Sequence, residues 1–200
     1  MRPKNLEKEQ AIRSMALDII ANEGLENLTM QKLAKAANIS PRTIYIKYEN
    51  KEDLLVKLFI HEVLEPYEAA ILNGFTDGMD FSTGTKKLWM NTFTYLKNNR
   101  SHFALLQHSK SSPLLNKAYQ QENIVQGQYF APVHRFLTDN ADAGVIKSFP
   151  FDVLRALLMS PLIDLVNEYF DHTTRPVQII TDEVIMQCCE VVIAGLINNK

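Results

Sequence analysis

The chain has little of several things. Its two cysteines, Cys188 and Cys189, stand side by side in an apolar stretch. A disulfide between neighbours is strained, and two thiols without nearby histidines supply neither a disulfide framework nor a four-ligand zinc site. They read as small buried hydrophobes. No run approaches the ~20 apolar residues that cross a bilayer, and Met1-Arg2-Pro3-Lys4-Asn5-Leu6-Glu7-Lys8 lacks the apolar core of an export signal. A cytoplasmic protein with no membrane partner is expected. Seven glycines and eight prolines in 200 residues leave no low-complexity tract, and no internal repeat is visible. G-x-S-x-G, a phosphate-cradling glycine loop and H-E-x-x-H are all missing, so the chain reads as a non-enzyme with no cofactor.

The net charge is small, −2, but unevenly spread. Residues 1–48 hold eight Lys and Arg against five Asp and Glu, an excess of three positive charges, so the other 152 residues carry −5. A basic head on an acidic body permits a phosphate-binding face, and position must decide whether there is one.

Hydrophobic residues make up 46% of the chain and recur at helical spacing, with no long alternation that would mark a strand. The fold class is all-α. A first helix of about four turns carries Ala11, Ile12, Met15, Ala16, Ile19 and Ile20 on one stripe and stops at Asn22-Glu23-Gly24, where Gly24 suits a left-handed cap. A second begins at Leu28 or Thr29, Thr29 being the better cap, and turns Leu33, Ala34 and Ala37 inward. Asn38-Ile39-Ser40-Pro41 then breaks the chain: Asn tolerates a positive φ, Ser40 caps, and Pro41 suits the first helical position. A third helix runs from Pro41 to about Tyr48 with Ile44 and Tyr48 inward, and a fourth starts at Lys51 and bends at Pro66. Residues 73–84 form the best loop. Helices are predicted near 85–99, 101–110, 113–139, 150–171 and 176–198.

Two short helices joined by a three-residue break, the second showing Arg, Thr, Tyr and Lys outward, are the parts of a helix-turn-helix. Ala34 and Ala37 allow a close crossing, and Ile39 and Ile44 fill the angle. The outer face of the second helix is then free to enter a major groove ~12 Å wide. Arg42 suits guanine acceptors, Thr43 a thymine methyl or phosphate, and Tyr45 and Lys47 phosphates. Thr29 and Gln31 at the start of the preceding helix, with Ser40 at the start of the recognition helix, complete the expected DNA-facing set.

The run Asn22-Glu23-Gly24, Leu28-Thr29-Met30-Gln31-Lys32-Leu33-Ala34, Ile39 to Tyr48 and Lys51-Glu52-Asp53-Leu54-Leu55 resembles the DNA-binding domain of the tetracycline-repressor (TetR) family of bacterial regulators, over roughly residues 8–60. The resemblance implies that Tyr45 and Lys51 bind phosphates and that Thr43 and Lys47 lie at the DNA surface. Pro41-Arg42 stands where a pair such as Lys-Gly is frequent, and Asn38 replaces the common turn glycine. The resemblance also implies three domain features: a helix-turn-helix domain at 1–50, a connecting helix at 51–72, and a helical domain at 73–200 that binds a small molecule and dimerises through its last two long helices. Those helices agree, being apolar over more than one stripe: Leu158, Leu162 and Val166 in one, Val184, Cys188 and Val192 in the other, are the expected dimer contacts.

Trp89, Phe93, Phe103, Leu106, Tyr119, Tyr129 and Met159 are candidates to line the effector site, with His102, Gln107, His108, Asn123 or Gln126 as polar anchors; packed core is the plainer reading for each. Asp164, Glu168 and His172 are spaced four apart as metal ligands are, yet Ser160, Asn167 and Asp171 extend the stripe as a solvated face, so no metal is assigned. His61 and Glu65 form an i,i+4 pair. The function expected is a ligand-responsive repressor: a homodimer on an inverted-repeat operator in double-stranded DNA, released when the effector moves the helix 51–72 and alters the separation of its recognition helices from the ~34 Å groove repeat. The alternatives are a helical small-molecule binder or enzyme with a vestigial helix-turn-helix, and a regulator controlled by a protein partner.

Overall fold

The computed structural model describes residues 3–111, 113, 120, 128–171 and 176–198. Among these the chain is helical, and an isolated antiparallel bridge, Ile146 to Ile197, is the one β-type pairing. The chain divides into two compact units, Met1–Pro66 with Asn99–Val125, and Tyr67–Asn98 with Gln126–Lys200.

The first unit holds α1 (Pro3–Glu23), a 3₁₀ turn (Leu25–Asn27), α2 (Met30–Ala36), α3 (Pro41–Tyr45), α4 (Lys51–Lys57) with its π-helical continuation Leu58–Leu64, and α7 (Arg100–Ser111). Helix α1 spans 21 residues, about six turns and not four. It buries Ile12, Ala16, Leu17, Ile19 and Ile20, a stripe wide enough to pack on α2 and the 3₁₀ turn and also on α7. That second contact places α7 with the N-terminal helices, whereas the sequence assigned residues 99–125 to the C-terminal domain. Gly24 ends α1 with φ 89° and ψ 158°, a region essentially reserved for glycine and distinct from the left-handed helical cap expected there. The π turns precede Pro66. Proline has no N–H for the carbonyl four residues back, and the Glu65 N–H already reaches the Ile60 carbonyl, five back. His61 and Glu65 are paired here at 3.3 Å on the exposed side.

The second unit contains most of α5 (Glu65–Ile71), α6 (Phe81–Asn98), α8 (Ala131–Asp142), α9 (Phe151–Asp171) and α10 (Asp182–Leu196). Helix α6 is the hub, packing on α9 and α10. It begins four residues before the sequence suggested because Asp80 caps it, accepting from the Thr83 N–H at 3.0 Å. Gly84 therefore lies inside the helix and not in a loop: a Cβ there would meet Phe136 Cζ at 2.6 Å. Phe136 in turn stacks on Phe81 at 5.6 Å and meets the edge of Phe75 at 5.2 Å. Helix α8 starts at Ala131, where Pro132 falls in its first turn; of the helix predicted over 113–139, residues 131–139 lie in α8 and Gln120 is helical, while most of 112–127 lies outside the described residues. Helix α10 starts at Asp182 with Thr181 as cap, six residues later than expected. The Lys147 N–H donates to the Leu196 carbonyl at 2.8 Å and the Asn198 N–H to Val145 at 3.1 Å, which ties down the end of α10.

Candidate nucleic-acid interface

The local chemistry of residues 28–51 fixes the helix-turn-helix. Thr29 accepts from the Lys32 N–H at 3.1 Å and caps α2. Ser40 accepts from the Thr43 N–H at 3.3 Å and caps α3, its hydroxyl 2.9 Å from that of Thr43. Asn38 takes φ 53° in the turn between the helices, and Asn50 caps α4 through the Asp53 N–H. Leu33, Ala34, Ile44 and Tyr48 are buried where the helices cross. Burial pushes the Tyr48 phenol up to about 12, so it stays neutral, with the Lys57 ammonium 5.6 Å from its ring centre.

The helix-forming residues left over face solvent. Gln31 and Lys35 on α2, and Pro41, Arg42 and Tyr45 on α3, are exposed, and so is Ile46, which prolongs α3 by one residue in helical geometry. Among the described residues, neither Arg42 nor Tyr45 has a side-chain partner. Lys35 and Ile46 were not among the residues predicted to face DNA. Lys35 was legible as the i+4 neighbour of Gln31; Ile46 was not, because aliphatic side chains are read as core by default.

The two predicted phosphate lysines are differently placed. Lys47 turns back to Glu9 of α1 at 2.8 Å, and Lys51 donates to the Leu25 carbonyl at 2.7 Å. An ammonium has three donors, so Lys51 keeps two beyond its anchoring bond. Glu9 also lies 3.8 Å from Arg13, whose Nε is 3.0 Å from Glu62; that last pair is close without being aligned as a hydrogen bond. Lys47 is thereby held in a chain of alternating charges reaching the π-helical segment.

The hydrogen bond from Lys47, joined by its charge, holds the Glu9 carboxyl below the ordinary glutamate range. Stability from this pair is complete at neutral pH and disappears as pH falls through and below that range, because protonation removes the acceptor charge. Each partner is part-exposed, so the contribution is small. Glu9→Gln should cost less than ~1 kcal/mol in a thermal melt at pH 7 yet strengthen duplex binding a few-fold at low salt, since a negative charge leaves the DNA-facing side. Unchanged or weaker binding would mean that Lys47 does not approach phosphate.

The candidate effector residues are not gathered in one unit. Trp89, Phe93, Tyr129 and Met159 belong to the second unit and Phe103 and Leu106 to the first. Tyr119, Asn123 and Gln126 lie outside the described residues. Trp89 and Phe93 have no exposed surface: Trp89 Nε1 donates to the Leu158 carbonyl at 3.1 Å and Phe93 meets Tyr169 edge-on at 5.6 Å. They are core. Tyr129 and Met159 are half-buried. His102 is in the first unit, where burial lowers its pKa and keeps it neutral.

Of the predicted dimer contacts, Leu158, Leu162 and Val166 are fully buried within the chain itself. Helix α9 packs that stripe on its own unit, so these three have nothing to offer a partner. Val184, Cys188 and Val192 of α10 are half-buried, and the apolar side chains left outside are Val153 and Leu157 on α9 and Val191 on α10. Asp164 and Glu168 are exposed and His172 lies outside the described residues; among the described residues no group of three acidic, His or Cys side chains is arranged to hold a metal. No described helix is long and apolar enough to cross a membrane.

A capped two-helix corner with an unpaired arginine and a tyrosine on its outer helix defines a helix-turn-helix DNA-binding protein. Comparison with known proteins narrows the class. Residues 12–58 match the family "Bacterial regulatory proteins, tetR family" and residues 84–193 match "Tetracyclin repressor-like, C-terminal domain". The chain belongs to the tetR family of transcriptional regulators; it is a DNA-binding regulator and not an enzyme. It is 27% identical over 178 residues to an "Uncharacterized HTH-type transcriptional regulator" of Haemophilus influenzae, covering 88% of this chain and 91% of that one. A TetR family transcription regulator from Marinobacter aquaeolei VT8 superposes with a TM-score of 0.83 at 25% identity over the whole of both chains. The "Fatty acid metabolism regulator protein" of Bacillus subtilis is 38% identical over 58 residues, 29% of this chain and 28% of that one.

Proposed function

We propose that the protein is a repressor that binds an inverted-repeat operator as a homodimer in the cytoplasm and leaves it when a small molecule binds the second unit. The observation that carries the reading is the outer face of α3, where Arg42 and Tyr45 are exposed without side-chain partners among the described residues, while Ile44 of α3 and Tyr48 just beyond its end are buried in the core. Arg42 is assigned to a base edge, Tyr45, Thr29 and the spare donors of Lys51 to phosphates, and Ser40 and Thr43 chiefly to capping the recognition helix. Gln31 and Lys35 flank this face on α2.

Dimerisation is assigned to the outward side of the last two helices: Val153 and Leu157 on α9, with Val184, Cys188, Val191 and Val192 on α10. The effector is assigned to the second unit, with Tyr129 and Met159 as contacts and Trp89 and Phe93 as the rigid wall behind them. Linkage requires that an effector which weakens operator binding be weakened equally by the operator.

The test begins with genomic fragments selected on the purified protein, followed by affinity measurements on the selected duplex at several salt concentrations. Arg42→Ala is expected to retain its thermal melt and lose roughly 5- to 150-fold in affinity, the value of a bidentate arginine–guanine contact. An affinity insensitive to both salt and Arg42 would overturn the DNA-binding assignment, and a selected site without dyad symmetry would overturn the symmetric dimer.

A further inference from the structure

Ile46 is 74% exposed. Single exposed aliphatic residues are common and usually mean nothing, but the placement of this one is specific. Arg42, Tyr45 and Ile46 stand at i, i+3 and i+4, one face of the recognition helix, and the Ile46 N–H still donates to the Arg42 carbonyl at 3.1 Å, so Ile46 is held in helical register. The other isoleucines among the described residues, Ile179 excepted, are buried or half-buried. The neighbouring cation that could have claimed this end of the face for phosphate, Lys47, is turned back onto Glu9 at 2.8 Å. The result is a face with a guanidinium at one end and, a turn further on, a tyrosine ring (51% exposed) and an aliphatic side chain.

That chemistry selects its counterpart. The edges of the bases in a major groove are hydrogen-bond donors and acceptors, with one apolar group among them, the C5 methyl of thymine. An isoleucine laid on a donor or acceptor strips its water and returns no hydrogen bond. Laid on the methyl, it removes two apolar surfaces from water at once. Resting on the DNA-binding reading above, we infer that Ile46 is a specificity-determining residue: it packs on a thymine methyl about one helical turn along the operator face from the base pair met by Arg42, and Tyr45 shields the contact.

The experiment removes the methyl and not the base. The selected operator is remade with each thymine of one half-site replaced in turn by deoxyuracil, which keeps every hydrogen-bonding group, and titrated with the full-length protein, Ile46→Ala and Ile46→Val. At one thymine the parent protein should lose about fourfold in affinity, the worth of one buried methyl; Ile46→Val should keep most of that discrimination, and Ile46→Ala should bind the two duplexes equally. The inference is overturned if no deoxyuracil weakens the parent protein, or if the loss persists undiminished in Ile46→Ala. In either case salt-dependent binding to the operator would remain and the DNA-binding reading would stand; a protein that binds no duplex takes both down.

Discussion

Leu157→Glu combined with Val191→Glu is expected to give a folded protein that sediments as a monomer and binds its operator at least about a hundredfold more weakly. The two side chains are 45% and 74% exposed in the chain, so neither carboxylate disturbs a core. Placed on an interface that repeats itself about a twofold axis, each would confront an apolar surface and strand a charge there. Losing the second recognition helix then converts a tethered second contact into an independent one, a change that costs factors of 10² to 10⁴. The adjacent residue provides the contrast. Leu158→Ala removes a fully buried side chain and should instead cost about 2–5 kcal/mol in stability with the dimer intact. A double variant that remained dimeric in sedimentation would show that another face pairs the chains.

Trp89→Ala should be the most damaging single truncation in the second unit. Trp89 has no exposed surface, fills space between α6 and α9, and spends its only donor on the Leu158 carbonyl. Removing an indole from such a site costs about 3–5 kcal/mol, which for a chain of this size lowers the melting temperature by about 2–4 °C per kcal/mol. Calorimetry of the variant checks this. A melt within a degree or two of the parent would mean that the ring borders open space, which would restore Trp89 as a candidate effector contact and not a wall.

The features legible in the sequence are those decided locally. Thr29, Ser40 and Asn38 have their roles set by atoms within three or four residues, so the amino-acid order alone marks the corner of the helix-turn-helix. The burial of Ile44 and Tyr48 follows from their spacing. The direction of Lys47 is not legible in this way, because its partner, Glu9, lies 38 residues away in the chain. Nor can the sequence separate Leu157 from Leu158: α9 is apolar around most of its circumference, and periodicity cannot say which stripe meets its own unit and which meets something else. The placement of α7 against α1 has the same origin, a second apolar side whose partner is chosen by tertiary packing. Ile46 escapes notice for the opposite reason, as an aliphatic residue at a position where the fold needs none.

The paired cysteines near the carboxyl end have a practical use. Cys189 is wholly enclosed, its thiol pushed up to about 12 by burial, while Cys188 keeps some access to solvent. Since the thiolate is the reacting species, a maleimide dye at neutral pH should mark one position in the chain. That position lies on the helix assigned to the twofold contact, so the labelling rate becomes an optical readout of assembly: slow where two copies embrace, faster on dilution.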